Sequence, residues 1–467
     1  MTRSRWLSLL ILCTGFLLIV VDMTIVNVAL PSIGRDLRFT PEGLAWVING
    51  YLVAFAGLLL LAGRLADLLG AKRVFLAGLV TFTAASVACG LAPSQEVLVA
   101  ARFVQGVGGA ASSAVILAMI VSLFPSPADQ ARAFGIFSLV ASAGAAVGLV
   151  AGGVITAAVS WHWVFFVNLP VGLATLACAW RLLPEIPGAG LRAGADVAGA
   201  VLGTAALMLG VYAIVALSPV MGVVALALFG AFIARQATAR TPMVPLRIFR
   251  SGAVSGANAV QALLSAGFLS FFFLGSLDLE RVLGFGPLAI GLAFLPVAVV
   301  MGGFSVRFSA QLVMRYGAYR VMLCGQVVIA AALLILALGP AHADYLGNLL
   351  LPLVMLGLGA GLTFPSLTML AMSSVAPTDA GLASGLLNTT GQVGGALGLA
   401  VLAALSAARS GALAGAGAAP AAAQAGGFHT AWLAAAAIVG IALLVTVATL
   451  RPRAGAASDS QAVPEAA

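Results

Sequence analysis

Asp22 is the one carboxylate that falls well inside an apolar stretch of this sequence, and Arg102 is the one basic residue that does. A charge in such surroundings is costly unless partnered, which makes each a candidate for function. Desolvation disfavours the charged form of a lone buried acid, so Asp22 is expected to exchange a proton near physiological pH. A purely structural role stays open for both: Asp22 hydrogen-bonded to neighbouring helices, Arg102 tied to backbone carbonyls. A second concentration of charge is GRLADLLGAKR, residues 63–73, with Arg64, Asp67, Arg73 and the only lysine of the chain, Lys72. Gly70 suits a tight turn with positive φ, and Gly63 is expected to let a neighbouring helix approach closely. Asp67 needs a partner, with Arg64, Lys72, Arg73 or a more distant residue as candidates. Basic residues placed only to orient a membrane loop would also fit this segment.

The elements that must position these residues are apolar helices. The chain is 62% hydrophobic and 8% charged, against about 25% charged in soluble proteins, and its mean hydropathy is +1.15. Lipid must be the solvent for most of it. Runs of roughly 20 apolar residues predict fourteen spans, near 7–30, 44–66, 73–93, 98–122, 133–156, 161–183, 197–217, 219–234, 253–276, 288–306, 320–339, 347–371, 380–405 and 429–450. Ser218–Pro219 either separates the seventh and eighth or kinks one hairpin. Seventeen of the 22 Lys and Arg residues fall in segments on the side of the N-terminus. Only Arg35, Arg38, Arg281 and Arg409 fall on the other side. The positive-inside rule then places both termini in the cytoplasm. The net charge of +8 is accounted for by topology and attraction to anionic membrane lipids, not by nucleic acid. The first span is too long for a secretory signal and lacks a cleavage site, so a retained helix is expected. Cys13, Cys89, Cys178 and Cys324 all fall in predicted helices, and neither a disulfide nor a metal site is expected. Residues 407–427, rich in Ala and Gly, read as a flexible external loop.

The sequence repeats itself. Shifted by 247, Gly70, Ala71 and Arg73 fall on Gly317, Ala318 and Arg320. Shifted by 250, Pro127, Asp129, Gly135, Gly144, Gly148 and Leu149 fall on Pro377, Asp379, Gly385, Gly394, Gly398 and Leu399. Two segments recurring at nearly one offset predict two six-helix halves, 1–183 and 253–450, with residues 184–252 inserted as two extra helices and a cytoplasmic tail at 451–467. Duplicated bundles that rock about a central site are the architecture of secondary transporters.

GRLADLLGAKR resembles the loop signature of the major facilitator superfamily, and RFVQGVGGA (102–110) resembles its fourth-helix motif. In GIFSLVASAGAAVGLVAGG (135–153), Gly144, Gly148 and Gly152 match the family's antiporter motif, although Leu149 stands where the family has proline. The same three, four apart, form a smooth stripe for helix contact in any bundle. VDMTIVNVALP (21–31), SWHWVFFVNLPVG (160–172), ERVLGFGPLAIGLAFLP (280–296) and GLASGLLNTTGQVGGALG (381–398) resemble the fourteen-span drug:proton antiporters, with His162 and Gly391 where arginine is more usual. The resemblance covers nearly the whole chain. It implies an all-α membrane protein of the major facilitator fold that exports lipophilic, cationic compounds against protons. It also assigns a conformational latch to Gly63, Asp67, Gly70, Lys72 and Arg73, and proton coupling to Arg102 with Asp22.

The substrate cavity is expected to be apolar with a few polar groups. Asn27, Trp46 and Asn49 from the first two spans, Asn258, Gln261 and Phe268 from the first span of the second half, and Asn388 and Gln392 are the candidates. Each could equally be an interhelical hydrogen-bond partner. Residues 71–73 do not complete a phosphate-binding G-x-x-x-x-G-K-[ST], so ATP-driven transport by this chain alone is excluded. His162, His342 and His429 lie far apart at span ends, with no metal spacing or nucleophile–base motif, which argues against an enzyme. Inward proton symport and export of a single endogenous metabolite or lipid remain open. The chain is expected to work as a monomer in a bacterial cytoplasmic membrane, with no cofactor or metal and the proton gradient as its energy source.

Overall fold

The computed structural model describes residues 2–451 except 125, 186–187, 189, 191–194, 341–343 and 374–379. Arg192, Pro377, Asp379, Arg453 and the polar tail lie outside the described residues. Those described form helices and short connections, with no strand among them. In chain order the helices are α1 (Thr2–Asp36), α2 (Pro41–Leu69), α3 (Ala71–Gly90), α4 (Gln95–Leu123), α5 (Pro127–Ala158), α6 (Trp163–Phe166), α7 (Asn168–Leu182) and α8 (Val197–Val215). Then come α9 (Pro219–Thr238), α10 (Gly252–Arg281), α11 (Pro287–Phe304), α12 (Ala310–Tyr316), α13 (Ala318–Ala337), α14 (Leu350–Ser373), α15 (Ala380–Gly415) and α16 (Pro420–Thr449). Thirteen stretches among the described residues are long and apolar enough to cross a membrane, α6 and α7 together making one of them. In α5 the apolar stretch described so far is shorter, Ala143–Ala158.

Local chemistry sets the helix starts. Thr40, Ser94, Ser126, Ser218 and Ser251 each accept a hydrogen bond from the backbone N–H three residues on, and prolines begin α2, α5 and α9. These caps satisfy amides that a helix cannot pair itself. Ser218 caps α9 while Leu217 adopts φ 48°, so the seventh and eighth predicted spans are two helices. Two expectations need correction. Residues 407–427 are not a flexible loop, because α15 runs to Gly415 and α16 starts at Pro420. An Ala-rich segment has the highest helix propensity, so the helices continue past their apolar cores. The sixth predicted span is divided at Val167 between α6 and α7.

Contacts define two ends of the molecule. At one, here the basic end, Trp6 of α1 meets Phe124 after α4, and Ser8 reaches the Leu182 carbonyl at the close of α7. Thr449 of α16 lies over Gly256 of α10. At the far end Trp161 donates from Nε1 to Asp36, and Gln95 donates to the Leu37 and Arg38 carbonyls.

The repeated segments adopt matching geometry. Gly70 has φ 96° and ψ 134°, and Gly317 has φ 83° and ψ 145°. Both are in the region that side chains other than glycine rarely enter. A Cβ on Gly108 would approach the Gly78 carbonyl to 2.7 Å, and one on Gly359 would approach the Gly325 carbonyl to 2.7 Å. Gly144 and Gly148 face α1 as Gly394 and Gly398 face α10.

The inserted helices α8 and α9 pack on each other, and α8 also lies on α2 and α15. Thr204 closes over Gly57, and Tyr212 meets Trp46 at 6.4 Å. Buried Asp196 caps α8 and receives Gly199 N–H, Arg235 Nε at 2.9 Å and Gln236 Nε2 at 2.7 Å. Burial pushes its pKa up, but these donors together outweigh burial and hold the carboxyl below the usual carboxylate range.

Candidate functional site

Asp22 and Arg102 meet in the interior of the first helix group. Arg102 Nη1 donates to Asp22 Oδ2 at 2.6 Å, and the two side chains are 2% and 0% exposed. Gln105 Nε2 and Asn168 Nδ2 donate to the other carboxylate oxygen at 2.7 and 3.0 Å. Both amides also donate to Ser86 Oγ, at 2.6 and 3.1 Å. Arg102 donates from Nε to the Val47 carbonyl at 2.9 Å and from Nη1 to Gln105 Oε1 at 2.6 Å. Its guanidinium sits 4.5 Å from the Tyr51 ring centroid and 5.8 Å from that of Phe165. Five helices, α1, α2, α3, α4 and α7, therefore converge on one ion pair.

This corrects the expectation of a lone acid. Asp22 has a cationic partner and two amide donors. Its carboxylate faces the network and not an open cavity. Gln105 and Asn168 escaped the candidate list although both stand in quoted motifs, RFVQGVGGA and SWHWVFFVNLPVG. Their types carried the signal, since a buried amide in a span needs a partner, but only the fold shows that the partner is shared. The Tyr51 hydroxyl, Asn168 Oδ1 and both amide atoms of Asn49 are buried without a hydrogen-bond partner. The first two leave unsatisfied polar capacity on network members themselves.

The glycine stripe lies along residues 17–25 of α1, the stretch that carries Asp22. Gly144 faces Leu17 and Val20, Gly148 faces the Thr24 hydroxyl and the Val21 carbonyl, and Gly152 faces the Ile25 carbonyl. Leu149 points the other way, where its carbonyl closes on Gly291 of α11. One register further, a Cβ on Gly153 would come to 2.8 Å from the Pro287 carbonyl. α5 is thus clamped between α1 and α11.

At the far end the first and second helix groups are joined. Arg35 Nη1 of α1 meets Glu280 Oε1 of α10 at 2.9 Å. One buried core runs from Ile25, Leu30 and Trp161 into Phe273, Phe294 and Trp432. Towards the basic end a second buried core is built on Leu12, Phe75 and Met119 and takes in Ala396 and Ala400 of α15. In the charged turn there, Gly70 has the expected positive φ, Lys72 is half-buried and Arg73 exposed. Asp67 is 69% exposed and, among the described residues, pairs at 3.8 Å with Arg64 of its own helix. Gly63 meets nothing within 4 Å among the described residues.

The predicted cavity residues divide. Asn258 Oδ1 accepts from Thr390, and Gln261 abuts Gly391, so both face α15. Phe268 meets Phe364 at 5.5 Å. Gln392 is half-buried and Asn388 exposed. Asn27 is buried, with Nδ2 spent on the Met23 carbonyl. The half-buried ring of Trp46 packs on Tyr212 of the insert.

The profile of the Major Facilitator Superfamily matches residues 12–399. The chain belongs to the major facilitator superfamily. The cephamycin export protein of Amycolatopsis lactamdurans is 38% identical, the alignment covering 85% of this chain and 84% of that protein. The puromycin resistance protein of Streptomyces alboniger is 37% identical over 84% of this chain and 80% of its own. The lincomycin resistance protein of Streptomyces lincolnensis is 35% identical over 85% and 83%. Among solved structures, a nucleoside transporter superposes with a TM-score of 0.69 over 95% of this chain and all of its own, at 13% identity. An inward-facing bacterial homologue of the lysosomal transporter Spinster gives 0.69 over 96% and 98%, at 16% identity. As a major facilitator with many apolar helices, the protein is a multi-pass membrane transporter of small molecules and not an enzyme.

Proposed function

We propose that this transporter exports lipophilic, cationic antibiotics from bacteria in exchange for protons. The reading is carried by relatives named for antibiotic export or resistance that align over more than four-fifths of this chain. Fourteen spans with both termini cytoplasmic fit the basic residues at one end. The working units are residues 1–183 and 253–450, with 184–252 inserted and 451–467 as a tail. The far-end seal and the disengaged Asp67 fit an inward-facing state in which a substrate enters from the cytoplasm. Gly63, Asp67, Gly70, Lys72 and Arg73 form the latch of the opposite state. Asp22 and Arg102 couple protons to this exchange: opening their network would release Asp22 to bind a proton, and the glycine stripe lets α5 slide on α1. Asn49, Asn258, Gln261, Phe268, Asn388 and Gln392 supply the substrate cavity. The protein works as a monomer among membrane lipids, without cofactor, metal or nucleic acid.

The test is substrate-driven proton movement in proteoliposomes carrying a pH-sensitive dye, with ethidium, puromycin or lincomycin added. Wild type should move protons and Asp22→Asn should not. No response to any of the three compounds in wild type would sink the reading.

A further inference from the structure

The second helix group holds an acid that the Asp22 network does not use. Asp278 was placed just beyond a span ending at 276, but α10 continues to Arg281 and carries it inside the apolar stretch. It is half-buried, accepts a hydrogen bond from Trp432 and has no ion-pair partner among the described residues. Asp22, in contrast, is neutralised by Arg102. An unpaired carboxylate within a span is costly and marks a functional site by default.

Two small cavities share Asp278 as a wall. One, of about 20 Å³, has Asp278, Asn348, His429 and Trp432 among otherwise largely apolar lining residues, and reaches Gly339 and Pro340 just past the end of α13. That is room for one water, and it lies at the far end, beside Glu280 and its partner Arg35. The other, also about 20 Å³, is apolar and runs inward past Phe271, Phe294 and Leu353. The carboxylate therefore stands between a cavity with polar groups in its wall and an apolar, aromatic one. Rings continue inward from Phe271 through Phe272 to Phe268, at 5.4 and 5.3 Å. Phe268 is a cavity candidate, so Asp278 and the cavity share one packed aromatic wall.

Among the described residues the polar groups around Asp278 are few, and Asp344 stands behind Asn348, its N–H donating to Asn348 Oδ1 at 2.9 Å. α16 contributes His429, and α14 with its first turn contributes Asn348 and Tyr345, whose hydroxyl donates to the Ala293 carbonyl. α10 itself contributes Glu280, paired with Arg35 of α1, and Arg281. The parts of α11 and α13 that line the cavities, Phe294, Ile335 and Leu336, are apolar.

We propose that Asp278 is a second proton-exchanging residue of the transport cycle, loaded from the far end through the His429–Asn348 cavity. The proposal rests on the proton-coupled reading above. In the loading step an imidazolium N–H bond of His429 breaks and the O–H bond of Asp278 forms. Water in the cavity then returns a proton to His429. Unloading reverses the transfer. Neutralising Asp278 removes the charge that opposes moving the end of α10 past its apolar neighbours.

The experiment uses the full chain in proteoliposomes, with ethidium as substrate and pH varied only on the far-end side. Wild type, Asp278→Asn, Asp278→Glu and His429→Gln are compared, together with infrared difference spectra of the protonated carboxyl band. Asp278→Asn should keep ethidium binding but lose the far-side pH dependence of export and one carboxyl band. Asp278→Glu should retain the dependence, and His429→Gln should shift it. If Asp278→Asn fails to fold, the shift in His429→Gln and the moved carboxyl band in Asp278→Glu decide the matter. An unchanged far-side pH profile and an unchanged band in the variants that fold would overturn the proposal, while leaving proton coupling itself intact. Absence of any substrate-driven proton movement in wild type would overturn both.

Discussion

The guanidinium of Arg102 and the carboxylate of Asp22, 80 residues apart in sequence, are held 2.6 Å apart in a fully buried network. Each is the other's main compensation for leaving water. Removing one partner strands the other, which typically costs 3–5 kcal/mol, whereas replacing both with neutral groups of similar shape can be nearly neutral. Arg102→Ala should therefore lower the detergent melting temperature more than the double variant Asp22→Asn/Arg102→Gln. Additive losses from the two sites would show that the pair is not coupled.

The glycine contacts separate packing from open space. A side chain on Gly148 would collide with Thr24 and Val21. Gly148→Val should cost about 1–3 kcal/mol by overpacking and reduce transport along with stability. Gly63 meets nothing within 4 Å. Gly63→Ala should leave the melting temperature unchanged or raise it, by up to about 1 kcal/mol of helix propensity. Thermal unfolding of the two variants side by side gives the answer.

The Arg35–Glu280 pair joins α1 to α10 with Arg35 68% exposed. An exposed pair contributes about 0.2–1 kcal/mol, so its loss should shift the balance of conformations by no more than about five-fold. Glu280→Arg should raise the labelling rate of a cysteine placed at the far end, and the exchanged pair Arg35→Glu/Glu280→Arg should restore it. Equal labelling in all three would remove the pair from the seal.

Asp196 supplies a pH dependence whose sign can be worked out. Its carboxyl is held below the usual range in the folded protein, so its contribution is fully present above the unfolded value, about 3.9. That contribution is lost as pH falls through the lower folded value. Hydrogen exchange at the start of α8 and the end of α9 should accelerate in acid below about pH 4. Asp196→Ala should show the same acceleration at neutral pH, with a loss of about 1–3 kcal/mol from the cap and its buried donors.

Much of the molecule was legible in the sequence because lipid leaves few choices. A span must be helical and apolar, so hydropathy located the helices, and the offset between Gly70 and Gly317 announced two turns that adopt the same backbone. Residue type alone singled out Asp22 and Arg102, since a charge in a span needs a reason to be there. Who pairs with whom was not legible. Gln105, Ser86 and Asn168 come from three different helices, and nothing in their local sequence says that they converge on Asp22. That the Trp46 ring meets Tyr212 of the insert was not legible either, because one helix face can meet either neighbour. Asp278 was missed for want of five residues of helix beyond the predicted span, a boundary that packing decides and hydropathy does not. The sequence by itself determined a membrane-embedded helical repeat and two charges that must be used. Tertiary structure alone decided that Asp22 is paired and Asp278 is not, since burial and partnership depend on how helices distant in the chain are packed together.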